Sequence, residues 1–204
     1  MPREALVVKR DILFKDKHFE GFLKAQEFDF IGVILKNYFY CERGDKLEHD
    51  MSLQQIIPYV IIINKKAGKV FAYRRASDEK YTETRLRNKW SLGIGGHIER
   101  KDDKDPIESG MMRELKEEVK MQKYPNPKII GYINDDKGDV EKVHFGVAAI
   151  VDTEQEVSKG DEEMAHGEFY TLEDFENILA NQENELEGWS IIAWPVIKNI
   201  LNSK

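Results

Sequence analysis

The interpretation of this chain rests on one acidic stretch, Arg113-Glu114-Leu115-Lys116-Glu117-Glu118. Apolar residues around it recur at helical spacing, and we therefore predict a helix from Pro106 to Met121. At 100° per residue, the glutamates of this stretch fall within an arc of about 100°. Like charges at such spacing weaken a bare helix by roughly 0.2–0.5 kcal/mol per pair, so a bound divalent cation would stabilise it.

The segment before this helix distinguishes a metal site from a solvated acidic face. Gly93-Ile94-Gly95-Gly96-His97-Ile98-Glu99 follows a short predicted strand that begins at Trp90. Glycines allow a ligand to approach the main chain closely, and a carbonyl can then join carboxylates around a cation. Oxygen ligands of this kind are preferred by Mg²⁺ and Mn²⁺. The two segments together predict a metal site, whereas either one alone is a weak signal.

These two segments resemble the box of the Nudix hydrolases. That box reads Gly, five residues, Glu, seven residues, then Arg-Glu-aliphatic-x-Glu-Glu-x-Gly-aliphatic. Its second half matches Arg113 to Met121, and its first half matches Gly95 to Glu99.

The chain departs from the family pattern at three points. Between Gly96 and Arg113 it has three more residues than the pattern, which we place in the charged loop 100–104. Counting back from Arg113 puts Asp105 at the first box glutamate, and Glu108 is another substitute. Lys120 replaces the final glycine, which usually ends the helix with a positive φ.

The resemblance implies a fold and a reaction. The fold would be an α/β/α sandwich with a mixed β-sheet. The reaction would be hydrolysis of a diphosphate linkage in a nucleoside diphosphate joined to another moiety, by attack of water on phosphorus. The resemblance also implies Mg²⁺ or Mn²⁺ as the cofactor and a small nucleotide-like molecule as the substrate.

The resemblance also assigns roles to individual residues. Glu117 and Glu118 would be the main metal ligands, and Glu114 would bind metal or orient the water. Arg113 would hold the carboxylates by ion pairing. A carbonyl of Gly95 or Gly96 would complete the metal shell, and we select Gly96.

In this fold the general base can come either from the box or from a later loop, and the sequence leaves both alternatives open. Gly160-Asp161-Glu162-Glu163 precedes a segment, Glu168 to Leu172, that looks like the family's closing strand and helix start. Glu162 or Glu163 is a candidate base, and we select Glu163. A solvated loop without a catalytic role is the alternative for each.

The order of predicted elements favours one main domain with an N-terminal extension. Residues 1–54 are predicted to pack on the main domain or on a dimer partner, because about 50 residues rarely form a core alone. Residues 55–204 are predicted to form the Nudix-like domain. Its predicted strands cover 58–64 and 70–75 as a hairpin, then 90–94, 129–133, 143–151 and 168–170. Its last helices cover 172–180 and 186–201, and the internal Pro195 of the latter should start a turn or kink the helix.

Composition narrows the class of partner and the compartment. The chain has 204 residues and a formal net charge of −7, which argues against a nucleic-acid binder that relies on phosphate contacts. Its lone cysteine, Cys41, excludes an intrachain disulfide and fits a reducing, cytoplasmic setting. The longest apolar run, residues 56–63, is shorter than the roughly 20 residues of a membrane-spanning helix. We therefore expect no membrane association and no export segment.

Several other residues have both a functional and a structural interpretation. His97 is equally suited to a phosphate contact and to a structural hydrogen bond. His144 is expected to line the site or the sheet rather than to bind metal. Arg74 and Arg75 could contact a phosphate of the substrate, but we expect both to face solvent. Tyr59 is expected near the pocket that would hold the base of a nucleotide. The tryptophans at 189 and 194 have the spacing of core residues.

Two other functions remain open. A nucleotide-binding or regulatory module that keeps the fold without catalysis is motivated by the altered front half of the box. A diphosphate isomerase would need a cysteine near the strand that enters the site, and Cys41 lies far upstream. The aromatic residues of the extension are compatible with a homodimer. The sequence does not identify the substrate, because specificity depends on loops whose convergence it does not show.

Overall fold

A computed structural model describes residues 3–77, 86–102, 104–138, 140–181 and 183–203. The strands are β1 (Glu4–Lys9), β2 (Gly21–Lys24), β3 (Phe39–Glu42), β4 (Leu53–Asn64), β5 (Lys69–Arg75), β6 (Trp90–Ser91), β7 (Gly93–Ile94), β8 (Val119–Lys120), β9 (Lys128–Asn134), β10 (His144–Asp152), β11 (Ser158–Lys159) and β12 (Met164–Thr171). The helices are α1 (Arg10–Leu13), α2 (Phe30–Asn37), α3 (Asp45–Glu48), α4 (Pro106–Glu118), α5 (Leu172–Ala180) and α6 (Gly188–Asn202).

The main sheet is mixed and is built around β4. Its path runs β12-β5-β4-β10-β9-β2, and β1, β3, β6 and β7 pair at its sides. The β4–β10 pair is parallel, and the β4–β5 pair is antiparallel. The hairpin predicted at 58–64 and 70–75 is therefore confirmed. A strand that is buried along nearly all of its length suits the high Ile and Val content of β4.

Alternate side chains of β4 enter two separate cores. Ile56, Val60 and Ile62 lie in the core that includes Met111 and Leu115 of α4. Tyr59, Ile61 and Ile63 lie in the core that includes Phe175 of α5 and Trp194 of α6. Successive residues of a strand point to opposite faces, so each face of the sheet is covered by helices. The predicted α/β/α sandwich with a mixed sheet is confirmed.

Pro58 interrupts the ladder on one side of β4 without losing a hydrogen bond there. On this side β4 pairs with β1 up to Gln55 and with β7 from Val60, so Pro58 lies between the two partners. A Cβ atom added at Gly95 would collide with the carbonyl oxygen of Pro58. The gap in the ladder therefore admits the Gly95-Gly96 segment against the strand, where only glycine fits.

Helix α4 begins at a cap and ends earlier than predicted. The Asp105 side chain accepts a hydrogen bond from the Glu108 N–H at 3.2 Å, and Pro106 occupies the first turn. The helix ends at Glu118, not Met121, because Val119 is extended and β8 pairs with β11. Lys120 is therefore a strand residue, and the positive φ that the family's glycine uses is not needed there.

The N-terminal residues contribute strands to the same sheet. β1 pairs with both β3 and β4, and β2 pairs with β9. These pairings support packing of residues 1–54 onto the main domain. The division at residue 54 and a dimer role for the extension stay predictions.

The last helix does not stop at its internal proline. α6 runs from Gly188 to Asn202 with Pro195 inside it, so the prediction that a turn starts at this residue was wrong, and a kink there stays a prediction. Across the described ranges, no helix combines the length and the apolar character that crossing a membrane requires.

Candidate active site

The carboxylates of α4 pack against the Gly95-Gly96 segment. The main chain of Gly95 favours the charged form of the Glu118 carboxyl and so partly opposes the rise of its pKa. A Cβ atom on Gly96 would lie 2.7 Å from Oε1 of Glu114. The absence of a side chain at Gly96 therefore lets the Glu114 carboxylate lie directly against the main chain.

Arg113 connects the helix to this segment. Its Nη1 donates to Glu114 at 2.6 Å and to Glu117 at 3.1 Å. Its Nη2 donates to the carbonyl of His97 at 2.8 Å. Burial opposes the charged form, but the contacts with Asp102 and Glu114 outweigh it and raise the pKa of Arg113. The guanidinium thus remains charged and orients the carboxylates around it.

Asp102 is the residue that sequence counting missed. Its two oxygens accept hydrogen bonds from Nε and Nη2 of Arg113, each at 2.8 Å. Asp105 instead caps α4, and Glu108 is exposed in its first turn. The prediction that Asp105 or Glu108 stands in place of the first box glutamate was therefore wrong.

The signal for Asp102 was present in the sequence. Counting forward from Gly96 by the family spacing reaches residue 102, whereas counting back from Arg113 reaches 105. The N–H of Asp102 donates to the Glu99 carbonyl at 2.9 Å, and Oδ2 accepts from the Glu99 N–H at 2.8 Å. This tight turn retains the front spacing, and the three extra residues therefore come after Asp102.

Three carboxyl groups influence one another around the cavity. Burial raises the pKa of Glu114, although Arg113 opposes the shift. Burial also raises the pKa of Glu118 well above its ordinary value, with added repulsion from Glu114 and Glu163 and opposition from Arg75. Loss of solvent around its carboxyl, reinforced by Asp161, raises the pKa of Glu163. These three carboxyls therefore hold protons more tightly than an ordinary glutamate does.

Glu117 is the exposed member of the box glutamates. Its side chain is 52% exposed and contacts Nη1 of Arg113. In the part of the chain that the structure describes, the box glutamates do not form a group of three with ligand atoms within 4.8 Å of one another.

A cavity of about 320 Å³ lies beside these carboxyls. Its lining comes from distant parts of the chain. The contributing residues include Arg43 and Glu48 of the extension, Gly96 and Glu118 of the box, Glu163 before β12, and Trp189 of α6. The cavity thus has room for a small molecule between acidic and basic groups.

Glu187 organises a second, buried network on the cavity wall. It accepts hydrogen bonds from Arg75 at 2.9 and 3.0 Å, and from Tyr59 at 3.0 Å. It also accepts from Ser91 at 2.6 Å and Ser190 at 3.1 Å. Arg75 therefore faces a buried carboxylate, and the expectation that it faces solvent was wrong. Sequence spacing gives no signal for this network, because Arg75 and Glu187 meet only in the folded chain.

The two histidines also line the cavity. Nε2 of His97 lies 2.7 Å from Oε1 of Gln55, which supports the structural interpretation of His97. Burial lowers the pKa of His97 well below its ordinary value, and Arg43 and His144 add to the shift. Nδ1 of His144 donates to the carbonyl of Val140 at 2.5 Å.

The family model of the NUDIX domain matches residues 54–194. The chain therefore belongs to the Nudix family, and the resemblance based on its box is confirmed. Nudix hydrolases generally use divalent metal ions, and this membership supports a Nudix-type hydrolase.

Relatives match nearly the whole chain. Protein YmaB of Bacillus subtilis (strain 168) is 31% identical over 202 residues, covering 93% of this chain and 95% of that protein. The crystal structure of Tm1382, a candidate Nudix hydrolase, has 30% identity and a TM-score of 0.77, covering 97% of this chain and 99% of that chain. A bifunctional NMN adenylyltransferase/ADP ribose pyrophosphatase from Francisella tularensis has 13% identity and a TM-score of 0.55, covering 73% and 42% respectively, and shares the fold alone.

Proposed function

We propose that this protein hydrolyses a diphosphate linkage in a nucleoside diphosphate joined to another moiety. Water would attack phosphorus in a metal-dependent reaction. The observation that carries the proposal is the packing of Glu114 and Glu118 against the Gly95-Gly96 segment, beside a cavity of about 320 Å³. Arg113 contacts Glu114 and is itself fixed in position by Asp102.

The donor set fits a hard divalent cation. Glu114, Glu117, Glu118 and the carbonyl of Gly96 all offer oxygen, as Mg²⁺ and Mn²⁺ prefer. Burial is the main cause of the raised pKa values of Glu114 and Glu118, and repulsion from neighbouring carboxyls adds to it. A bound ion supplies charge neutralisation on phosphate oxygens and lowers the pKa of a bound water.

The protein's own groups position the reactants. Arg113 keeps Glu114 and Glu117 oriented, which limits reorganisation when a phosphate enters. Glu163 lines the same cavity, and we propose it as the general base. Its raised pKa makes its carboxylate a better proton acceptor than an ordinary glutamate.

The test is turnover of a panel of nucleotide-linked diphosphates with Mg²⁺, Mn²⁺ or chelator. Glu118→Gln and Glu117→Gln should reduce metal-dependent turnover, and Glu163→Gln should reduce kcat by about 10²–10⁴-fold. Glu108→Gln is the matched control, because Glu108 lies on the same helix but is exposed in its first turn. Turnover that persists in chelator, or equal losses in Glu108→Gln, would contradict the proposal.

A nucleotide-binding module without catalysis is the second candidate. It is favoured by the exposed position of Glu117. Calorimetric binding of a nucleoside diphosphate without turnover of any panel member would support this candidate. The isomerase alternative loses support, because Cys41 packs with Ala5, Val7 and Leu47 and burial raises the pKa of its thiol.

We also propose that the partner is a small nucleotide-like molecule and not a nucleic acid, in keeping with the net charge of −7. A homodimer and a cytoplasmic location stay predictions. Light scattering of the full chain that gives the monomer mass would exclude the homodimer.

A further inference from the structure

We propose that Glu48, His97 and His144 bind one divalent transition-metal ion of the Zn²⁺ class, at a site separate from the box carboxylates. Each residue offers one ligand atom, and these atoms lie within 4.8 Å of one another. Two imidazole nitrogens and one carboxylate oxygen form a donor set typical of Zn²⁺ and neighbouring transition metals. This inference does not depend on the proposed hydrolysis.

Three distant parts of the chain build this group. Glu48 ends α3, His97 follows the Gly95-Gly96 segment, and His144 begins β10. The two rings meet edge to face, with centroids 5.6 Å apart. Nε2 of His97 donates to Oε1 of Gln55 at 2.7 Å, so the lone pair of this ring is assigned to Nδ1. Ligand atoms around a tetrahedral ion are about 3.4 Å apart for metal–ligand distances near 2.1 Å, so the three side chains must move closer together to hold an ion.

The surrounding groups orient the histidines as outer partners orient metal ligands. The Val140 carbonyl can only accept, so Nδ1 of His144 donates to it and the ring's lone pair is assigned to Nε2. Gln55 is fully buried and holds the His97 ring through its 2.7 Å contact.

The histidine group and the box share the cavity. Glu48, His97 and His144 line it together with Glu118 and Glu163. A metal with three protein ligands keeps at least one position for water or another ligand. The ion would therefore present a Lewis-acidic position to an oxygen-bearing ligand in this cavity. The different donor sets predict different selectivity: oxygen-preferring Mg²⁺ for the box, and a borderline ion for the histidine group.

The test uses Co²⁺ as a spectroscopic probe of the full chain. Protein stripped with chelator is first given excess Mg²⁺ and then titrated with Co²⁺. We expect one equivalent of Co²⁺ to bind, with visible d–d absorption from nitrogen and oxygen ligands, and Zn²⁺ to displace it. Glu48→Gln and His144→Gln should each weaken Co²⁺ binding by at least about 10-fold.

His49→Gln and Glu117→Gln are the matched controls. His49 follows Glu48 directly but is exposed and contacts Asp45, so its substitution should leave Co²⁺ binding unchanged. Glu117→Gln alters the box and should also leave it unchanged. Because His144 is buried and its variant can fail to fold, the half-buried Glu48 variant decides the result, with circular dichroism as the folding check.

Three outcomes would overturn the proposal. The first is no Co²⁺ binding in the presence of Mg²⁺. The second is unchanged affinity in a folded Glu48→Gln variant. The third is loss of Co²⁺ binding in Glu117→Gln, which would assign the ion to the box. Loss of diphosphate turnover alone bears only on the proposed function, because the Co²⁺ titration requires no substrate.

Discussion

Both carboxylate oxygens of Asp102 accept hydrogen bonds from Arg113, at 2.8 Å from Nε and 2.8 Å from Nη2. The Asp102 side chain is 3% exposed and that of Arg113 is 15% exposed. A two-point contact between a planar guanidinium and a carboxylate fixes orientation as well as charge. Asp102 therefore sets the direction in which Arg113 presents Nη1 to Glu114 and Glu117.

Asp102→Ala should lower the free energy of unfolding by about 3 kcal/mol, because it leaves a largely buried guanidinium without its main partner. Urea denaturation of the metal-free chain measures this loss. Asp105→Asn is the control, since asparagine also caps helices, and it should change stability by less than about 0.5 kcal/mol. Equal losses in the two variants would show that Asp102 has no special role.

Gly96→Ala should reduce metal-dependent turnover on the order of 10²-fold, the usual cost of displacing a catalytic group by about 1 Å. The new Cβ atom would lie 2.7 Å from Oε1 of Glu114 and push the carboxylate away. Steady-state kinetics measures the effect. Gly44→Ala is the control, because a Cβ there meets nothing within 4 Å. Full activity in Gly96→Ala would argue against this placement of Glu114.

His97 should make the metal-free chain less stable in mild acid. Burial lowers its pKa well below the ordinary 6.5, so between 6.5 and the folded-state pKa the unfolded chain binds more protons. The contribution of His97 to stability is therefore complete above about pH 6.5 and decreases as the pH falls towards the folded-state pKa.

Urea denaturation at about pH 7.5 and about pH 5.5 tests this dependence. The wild-type chain should lose on the order of 1 kcal/mol more stability than His97→Gln over this interval. His166→Gln, at an exposed histidine, should behave like the wild type. Identical pH dependence in wild type and His97→Gln would contradict the prediction.

Glu187→Ala should destabilise the fold by about 3–5 kcal/mol, because it leaves Arg75 without its buried carboxylate partner. Glu185→Ala is the control. Its ion pair with Lys89 is 3.3 Å long and largely exposed, so its loss should cost about 0–1 kcal/mol. Thermal and urea denaturation compare the two. A similar small cost in both variants would show that the Glu187 network contributes little.

The family and the sandwich fold were predictable from the sequence because both depend on local patterns. The acidic spacing from Arg113 to Glu118 repeats with the helix period, and the apolar run of β4 satisfies a strand with both faces covered. The end of α4 could not be predicted from local patterns. The helix ends before Val119 because Val119 and Lys120 form β8, which pairs with β11, and this pairing is a tertiary contact.

The sequence by itself determined where the box carboxylates lie on their helix, since helix geometry places Glu114, Glu117 and Glu118 on neighbouring turns wherever the helix packs. Tertiary structure decided which groups surround them. Three contacts depend on how strands and loops converge. They are the ion pair of Arg113 with Asp102, the ion pair of Arg75 with Glu187, and the proximity of Glu48 to two histidines. Contacts between residues far apart in the chain leave no periodic signal, because burial and electrostatic pairing select them only when the sheet is assembled.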